Sequence, residues 1–485
     1  MASVVRKLFA NTSYQIGSHM LGGLIMLLVT AYLARSLGAE VFGNFSYVIS
    51  FVFFFVILSN LGIDIILTRE LSKSEPDEQA LINTTLSLKT VLSLASIGIV
   101  VILAYVIDFS DDIRISLIIR SFVLLFMAFT QTFSAIYQSR IKLWIPAVGN
   151  FLNKFFFLII ILIVLSFSKS LPLIIAATAI PFIIECFLLW FYLRETLHLR
   201  FGFNRVIVKD LIKESIPLAL STTFYTVYLR VDVIMLDYFK SASAVGFYSA
   251  AYHLAEALNM FPGAFMTTVF PLLSKYKEMD MEKFRLTLRL CMKFLFSIIF
   301  PMIVGVVLLK EGIISLFYGA GYAASAPALG VLIFSTGFIF LSVVLTKIII
   351  IEKKTMLVAW VALAGALFNF LLNFYFIPKW GIVGASYTTM MTEGLIAFIW
   401  FYYVYVKEKH VALPSFLFFV KIGLATAIMG IAVHYTPGII LFPILVGLIV
   451  YILLAVVLRL FSSMEQGLIK ELFPSMSKIF NRMKD

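Results

Sequence analysis

Residues 227–238 read VYLRVDVIMLDY, an arginine and two aspartates inside a long apolar run. An ionisable side chain at membrane depth costs roughly 2.5–3.5 kcal/mol even on lenient insertion scales, so each needs a partner or water. Helical geometry separates the three. Arg230 and Asp232 lie about 200° apart around a helix and form no same-face pair. Arg230 shares a face with Asp237, whereas Asp232 shares one with Tyr225 and Tyr228. One face is free to look into a cavity; the other must find a neighbouring helix. Asp237, near the external end of its span, is interfacial.

Other apolar runs carry a similar load. Lys154 lies deep in its run, with Asn150 and Asn153 preceding it by four and one positions. Glu185 and Glu393 occupy mid-run positions, and His253, Glu256 and Asn259 step by three along one face. Two further stripes are Asn11, Gln15, Ser18, His19 and Gly22, then Gln131, Ser134 and Gln138. Each uncharged stripe fits a hydrogen-bonded helix seam as well as a cavity wall. The deep ionisable set fits a hydrated central cavity better, because charge needs a partner or water. Lys89, Lys293, Lys347 and Lys421 lie within about two turns of a cytoplasmic helix end and are expected to snorkel. Arg120 lies as close to an external end, and both readings stay open for it. His434, near an external end, is interfacial.

Soluble chemistry is missing. The sequence has no His-Glu-x-x-His, no P-loop and no Gly-x-Ser-x-Gly. Its two cysteines, Cys186 and Cys291, form no spaced pair, so no metal site, disulfide framework or cofactor is expected. The loops are too short to house catalytic machinery. The chain reads as a carrier, not an enzyme.

The elements that position these residues are membrane spans. Of 485 residues, 62% are hydrophobic and only 13% charged. About fourteen runs are long enough to cross a bilayer: residues 11–35, 41–68, 84–107, 115–138, 145–166, 171–193, 215–239, 244–273, 290–309, 324–351, 356–377, 381–406, 413–435 and 439–460. The net charge of +12 is topological. Alternate loops are basic, as in Arg194, Arg200, Arg205, Lys209 and Lys213, while the other side holds only Arg35, Arg114, Lys169, Lys240, Lys310 and Lys379. By the positive-inside rule both termini are cytoplasmic, and the basic loops give no reason to invoke nucleic acid. The chain is expected to be a multi-pass protein of the cell membrane.

The first twelve spans repeat. EVFGNFS at 40–46 parallels SAVGFYS at 243–249, matching Gly43 to Gly246. GNFLNKF at 149–155 parallels ALFNFLLNF at 366–374, and Glu185 parallels Glu393. The matches recur in order at offsets of about 200–220 residues, a parallel repeat of the kind transporters use, with the substrate site between the halves. The expected division is an N-terminal six-helix lobe over 1–200, a second over 201–410, and two extra helices with a tail over 411–485.

RVDVIMLDYFKSASAVGFYSAAYHL at 230–254 resembles the seventh-helix segment of polysaccharide-exporting flippases in the multidrug/oligosaccharidyl-lipid/polysaccharide superfamily. AYLARSLGAEVFGNFSYV at 31–48 is similar to their first-loop signature, and LFYGAGYAASAPALGVLIF at 316–334 to their loop entering the tenth helix. The resemblance implies an all-α polytopic fold, with two pseudo-symmetric six-helix lobes around a central cavity plus two C-terminal helices. It implies rocking between inward-open and outward-open states while a polyprenyl-pyrophosphate-linked oligosaccharide, such as an O-antigen unit, moves outward. Membrane lipids, a polysaccharide polymerase and glycosyltransferases are the partners that follow.

For such a substrate the pyrophosphate asks for a cation, and guanidinium offers a rigid donor fork. Arg230 is the first candidate, with Lys154 and Arg120 behind it. Sugar hydroxyls ask for amides, hydroxyls and aromatic faces, which Gln15, Asn150, Asn153, Gln131, Tyr225 and Tyr228 supply. A coupling ion, H+ or Na+, is permitted but not required; Asp232, Glu256, Glu185 and Glu393 are its candidate carboxylates. Three rivals stand beside this reading. A peptidoglycan-precursor flippase typically carries arginines in its first two helices, where this chain has none before Arg35 and Arg69. A multidrug antiporter would face the deep cations Arg230 and Lys154. A non-transporting scaffold would show dry, paired polar residues instead of a cavity.

Overall fold

The computed structural model describes residues 2–73, 77–195, 199–407, 413–462 and 465; the side chains of 2–16, 19, 217, 218, 220–222 and 225 lie outside that description. Helices account for nearly all of it: α1 (Ala2–Asn60), α2 (Ile63–Leu71), α3 (Glu78–Val106), α4 (Asp111–Ser121), α5 (Val123–Ser139), α6 (Trp144–Phe167), α7 (Leu171–Leu193) and α8 (Arg205–Phe239). They continue as α9 (Ala242–Leu258), α10 (Met260–Met279), α11 (Met281–Tyr318), α12 (Ala326–Ile351), α13 (Thr355–Phe401), α14 (Phe416–His434) and α15 (Leu441–Val457). Ten stretches are long and apolar enough to cross a membrane. Two of these, α1 and α13, are each broken by a glycine at positive φ, Gly38 (77°) and Gly381 (55°), and so make two spans apiece. The shorter apolar α15 covers one further expected run, and α8, which is not among the ten apolar stretches, is helical over the other.

One expected span is not continuous. The run 41–68 breaks at Leu61 and Gly62, both left-handed (φ 49° and 72°), and α2 starts afresh at Ile63. Glycine reaches that region without steric cost, which makes Gly62 the natural stop. The break re-aims the residues that follow it.

The described chain forms two compact units. The first contains Met1–Ala257, Phe317–Ser325 and Ala359–Thr388. Its core includes Leu67, Ile82, Phe133, Ile136, Tyr137, Cys186 and Leu189, and the Tyr137 hydroxyl donates to the Leu189 carbonyl at 2.8 Å. In this unit the repeated glycines meet. A Cβ on Gly43 would lie 1.7 Å from the Ala242 carbonyl oxygen, and one on Gly246 would lie 1.9 Å from that of Ala39. Only glycine permits two helical segments to touch backbone to backbone in this way.

The second unit contains Leu258–Leu316, Ala326–Val358 and Thr389–Asp485. Here α14 and α15 pack through Phe418, Ile422, Ala425, Met429, Val433 and Tyr451. The Tyr451 hydroxyl donates to the Ser297 carbonyl at 2.7 Å, tying this pair to α11. Lys293, expected to snorkel, instead bonds Glu465 at 2.7 Å. Lys347 rests 5.4 Å from the ring centroid of Phe270, and Lys421 reaches the Arg459 carbonyl at 3.5 Å.

Candidate functional site

A cavity of 880 Å³ opens within the first unit. Its walls come from α1, α2 and α4–α8. From α6, Asn150 and Lys154 face it together, as residues four apart on one helix must. From α5 come Gln131, Ser134 and Gln138, the stripe read from sequence. Arg120 of α4, Glu185 of α7 and Arg230 of α8 complete the charged lining, with Asp64 and Arg69 from α2. Ser18 of α1 also lines it and donates to the Ala147 carbonyl at 2.6 Å.

The charges are unequally compensated. Lys89 is fully buried, and its ammonium lies 2.8 Å from both oxygens of Asp64, with the Thr132 hydroxyl 3.2 Å from one of them. This corrects the snorkelling expectation: an acid at matching depth on the adjacent span holds Lys89 inside. Glu185 accepts from the Asn153 amide at 2.9 Å and lies within electrostatic reach of Lys154. Arg69 pairs with Glu70 and Glu214 at the end of α2. There the hydrogen bond from Lys73, aided by Arg69 and opposed by partial burial, holds the Glu70 carboxyl below the usual carboxylate range.

Arg120 and Arg230 differ. Arg120 is only 9% exposed; it donates to the Thr178 hydroxyl at 2.8 Å and stands 5.5 Å from the centroid of Phe182. Arg230 lies 5.3 Å from the Phe53 centroid, and its buried Nε has no hydrogen-bond partner among the described residues. Neither guanidinium forms a salt bridge with a carboxylate among the described residues. One cavity thus holds two guanidinium groups with no bonded carboxylate, Arg120 using one donor on Thr178 and Arg230 lying within electrostatic reach of Glu256.

The other candidates sit elsewhere. Asn153 is buried behind Glu185, and Tyr228 is buried on α8. Asp232 is buried too; it accepts from the Tyr248 hydroxyl at 2.8 Å and the Asn373 amide at 2.6 Å, which knots α8, α9 and α13 together. Glu256 bonds His253 Nδ1 at 3.3 Å on α9 and is not among the lining residues. Glu393 is buried in the second unit. The side chains of Gln15 and Tyr225 lie outside the described residues.

Sequence reasoning overlooked Asn60, Asp64 and Thr132. The usable signal was the Asn60-Leu61-Gly62 stop, and the opposite charges of Asp64 and Lys89, each about ten residues from the turn joining their spans.

Ten helical stretches long and apolar enough to cross a membrane, with a polar cavity among those of the first unit, mark a polytopic membrane protein. The chain belongs to the polysaccharide biosynthesis protein family, whose model matches residues 8–277. A second model, MatE, matches residues 217–375. Among curated relatives, the capsular polysaccharide biosynthesis protein CapF of Staphylococcus aureus is 24% identical over 406 residues, covering 81% of this chain and 98% of its own. Among solved structures, the lipid II flippase MurJ in an inward closed conformation gives a TM-score of 0.74 at 17% identity, covering 93% of this chain and 99% of its own. An inward-facing multidrug resistance MATE transporter of the MOP superfamily gives 0.61 at 14% identity, over 80% of this chain and 96% of its own. The fold is the two-lobed helical fold of that superfamily. The chain is a multi-pass membrane transporter of the polysaccharide-synthesis flippase family, and not an enzyme.

Proposed function

We propose that this transporter flips a polyprenyl-pyrophosphate-linked oligosaccharide, an O-antigen or other surface-polysaccharide unit, from the cytoplasmic to the outer leaflet by alternating access. The single observation that carries the reading is the cavity with two guanidinium groups, Arg120 and Arg230, that form no salt bridge among the described residues. Arginine forks match pyrophosphate oxygens bidentately, and Lys154 adds a third cation. The 880 Å³ volume lies within the ~300–1,000 Å³ typical of small-molecule sites, enough for a headgroup and a few sugars while the tail stays in lipid. Asn150 and Gln131 offer hydrogen bonds to the sugars. A cationic drug would meet Arg120, Arg230 and Lys154 here, against Glu185 and an Asp64 already paired with Lys89, and a scaffold would have no use for such a cavity. Both termini lie in the cytoplasm, and the lobes divide near residues 200 and 410. Asp232 anchors α8; Glu185 and Glu256 are the carboxylates left to couple an ion, with Glu393 in the second copy of the repeat. The polymerase and glycosyltransferases act beside this step.

Arg230→Ala tests the assignment: export of the lipid-linked glycan is expected to fall at least about tenfold, the value of one lost charge-assisted bond, with membrane insertion intact. Normal surface glycan in cells relying on that variant would refute the pyrophosphate site.

A further inference from the structure

The cavity has a second wall whose chemistry differs from the arginine side. The Asn60 side-chain amide donates to Gln131 Oε1 at 2.9 Å, which fixes both amides. Asn60 Oδ1 is left buried without a partner among the described residues, and Gln131 Nε2 is left as a donor. Next to them along the chain, past the break at Leu61 and Gly62, stands Asp64, which lines the same cavity. A carboxylate offers about four lone-pair sites; Lys89 occupies one on each oxygen and Thr132 a third, which leaves one, and the Asp64 side chain remains 16% exposed. Lys89 also cancels its charge, so the wall accepts hydrogen bonds without adding net negative charge to the cavity.

Two acceptors and one donor, fixed by packing, suit groups that both donate and accept. Sugar hydroxyls do so. A pyrophosphate only accepts, and would set its oxygens against Asn60 Oδ1 and Asp64, leaving buried polar atoms unmet. We propose that Asn60, Asp64 and Gln131 form a hydroxyl-reading wall that holds the glycan and turns the pyrophosphate toward Arg120 and Arg230, with Lys89 and Thr132 as positioning residues. The proposal rests on the cavity being the glycolipid site and assigns its polarity.

The test uses the full-length protein in nanodiscs and two probes. One is bare polyprenyl pyrophosphate; the other is the polyprenyl-pyrophosphate oligosaccharide fraction extracted from the native host. Asn60→Ala and Gln131→Ala are each expected to weaken binding of the glycan-bearing lipid roughly five- to tenfold, as lost hydrogen bonds do, and to leave the bare lipid unchanged. Lys89→Met/Asp64→Leu, which removes the acceptor without stranding a charge, is expected to give the same selective loss. Thermal unfolding reports whether each variant is folded. Arg230→Ala is expected to weaken both probes alike. If it changes neither, the headgroup assignment fails, while the wall is still judged by the difference between probes. Wild-type protein that binds the glycan-bearing lipid no better than the bare one overturns the wall. So do wall variants that weaken both lipids equally or neither.

Discussion

Lys89 and Asp64 set the energetics at the scale of single residues. Replacing Lys89 with methionine leaves Asp64 with the Thr132 hydroxyl as its hydrogen-bond partner among the described residues. Breaking a buried pair in this way costs about 3–5 kcal/mol, whereas exchanging both members for apolar residues is close to neutral. Lys89→Met is therefore expected to lower the thermal midpoint of the solubilised protein sharply, and Lys89→Met/Asp64→Leu to recover most of the loss. Equal midpoints for the two variants would show that the pair is not coupled. The sequence made the helical phase of Asn150, Lys154, Gln131, Ser134 and Gln138 readable, and the structure turns these residues into one cavity. It hid Lys89's partner. A lysine near a helix end snorkels by default, and only the third dimension brings an acid from the adjacent span within 2.8 Å. Asp232 shows the same limit: its need for a neighbouring helix was plain, but the identities of Tyr248 and Asn373 were not.

At the scale of elements, the breaks matter more than the lengths. Those at Gly38 and Gly381 fall where two apolar runs were already separable. The stop at Leu61 and Gly62 lies inside a run apolar enough to look uninterrupted, so hydropathy passed over it. That stop carries Asp64, Thr68 and Arg69 to the cavity on a helix of their own. The glycine contact between α1 and α9 is a second element-scale device. Gly246→Ala drives a methyl group into the Ala39 carbonyl, and no flexible side chain is there to yield. A loss of about 1–3 kcal/mol from overpacking is expected, with transport falling alongside. Gly98→Ala, inside α3 with open space around it, is the control: it should transport like wild type and be at least as stable, since alanine is the better helix former.

At the scale of the whole molecule, the proposed cargo is an anion moving away from a negative interior. Each charge that crosses the full field gains about 2.3 kcal/mol per 100 mV. Dissipating an inside-negative potential in oriented proteoliposomes is therefore expected to slow outward flipping. A rate indifferent to potential would mean that cations travel with the headgroup. The glycine contact has a consequence at this scale as well. Ala39 meets Gly246 while Ala242 meets Gly43, and one sequence offset carries Ala39 to Ala242 and Gly43 to Gly246. Residue i touching j while j touches i is the mark of an isologous surface, the kind that joins identical subunits across a twofold axis. Within the first unit, the contact between α1 and α9 has that reciprocity on a small scale. A side chain at either glycine meets backbone on the opposite helix, so neither position can change without parting both.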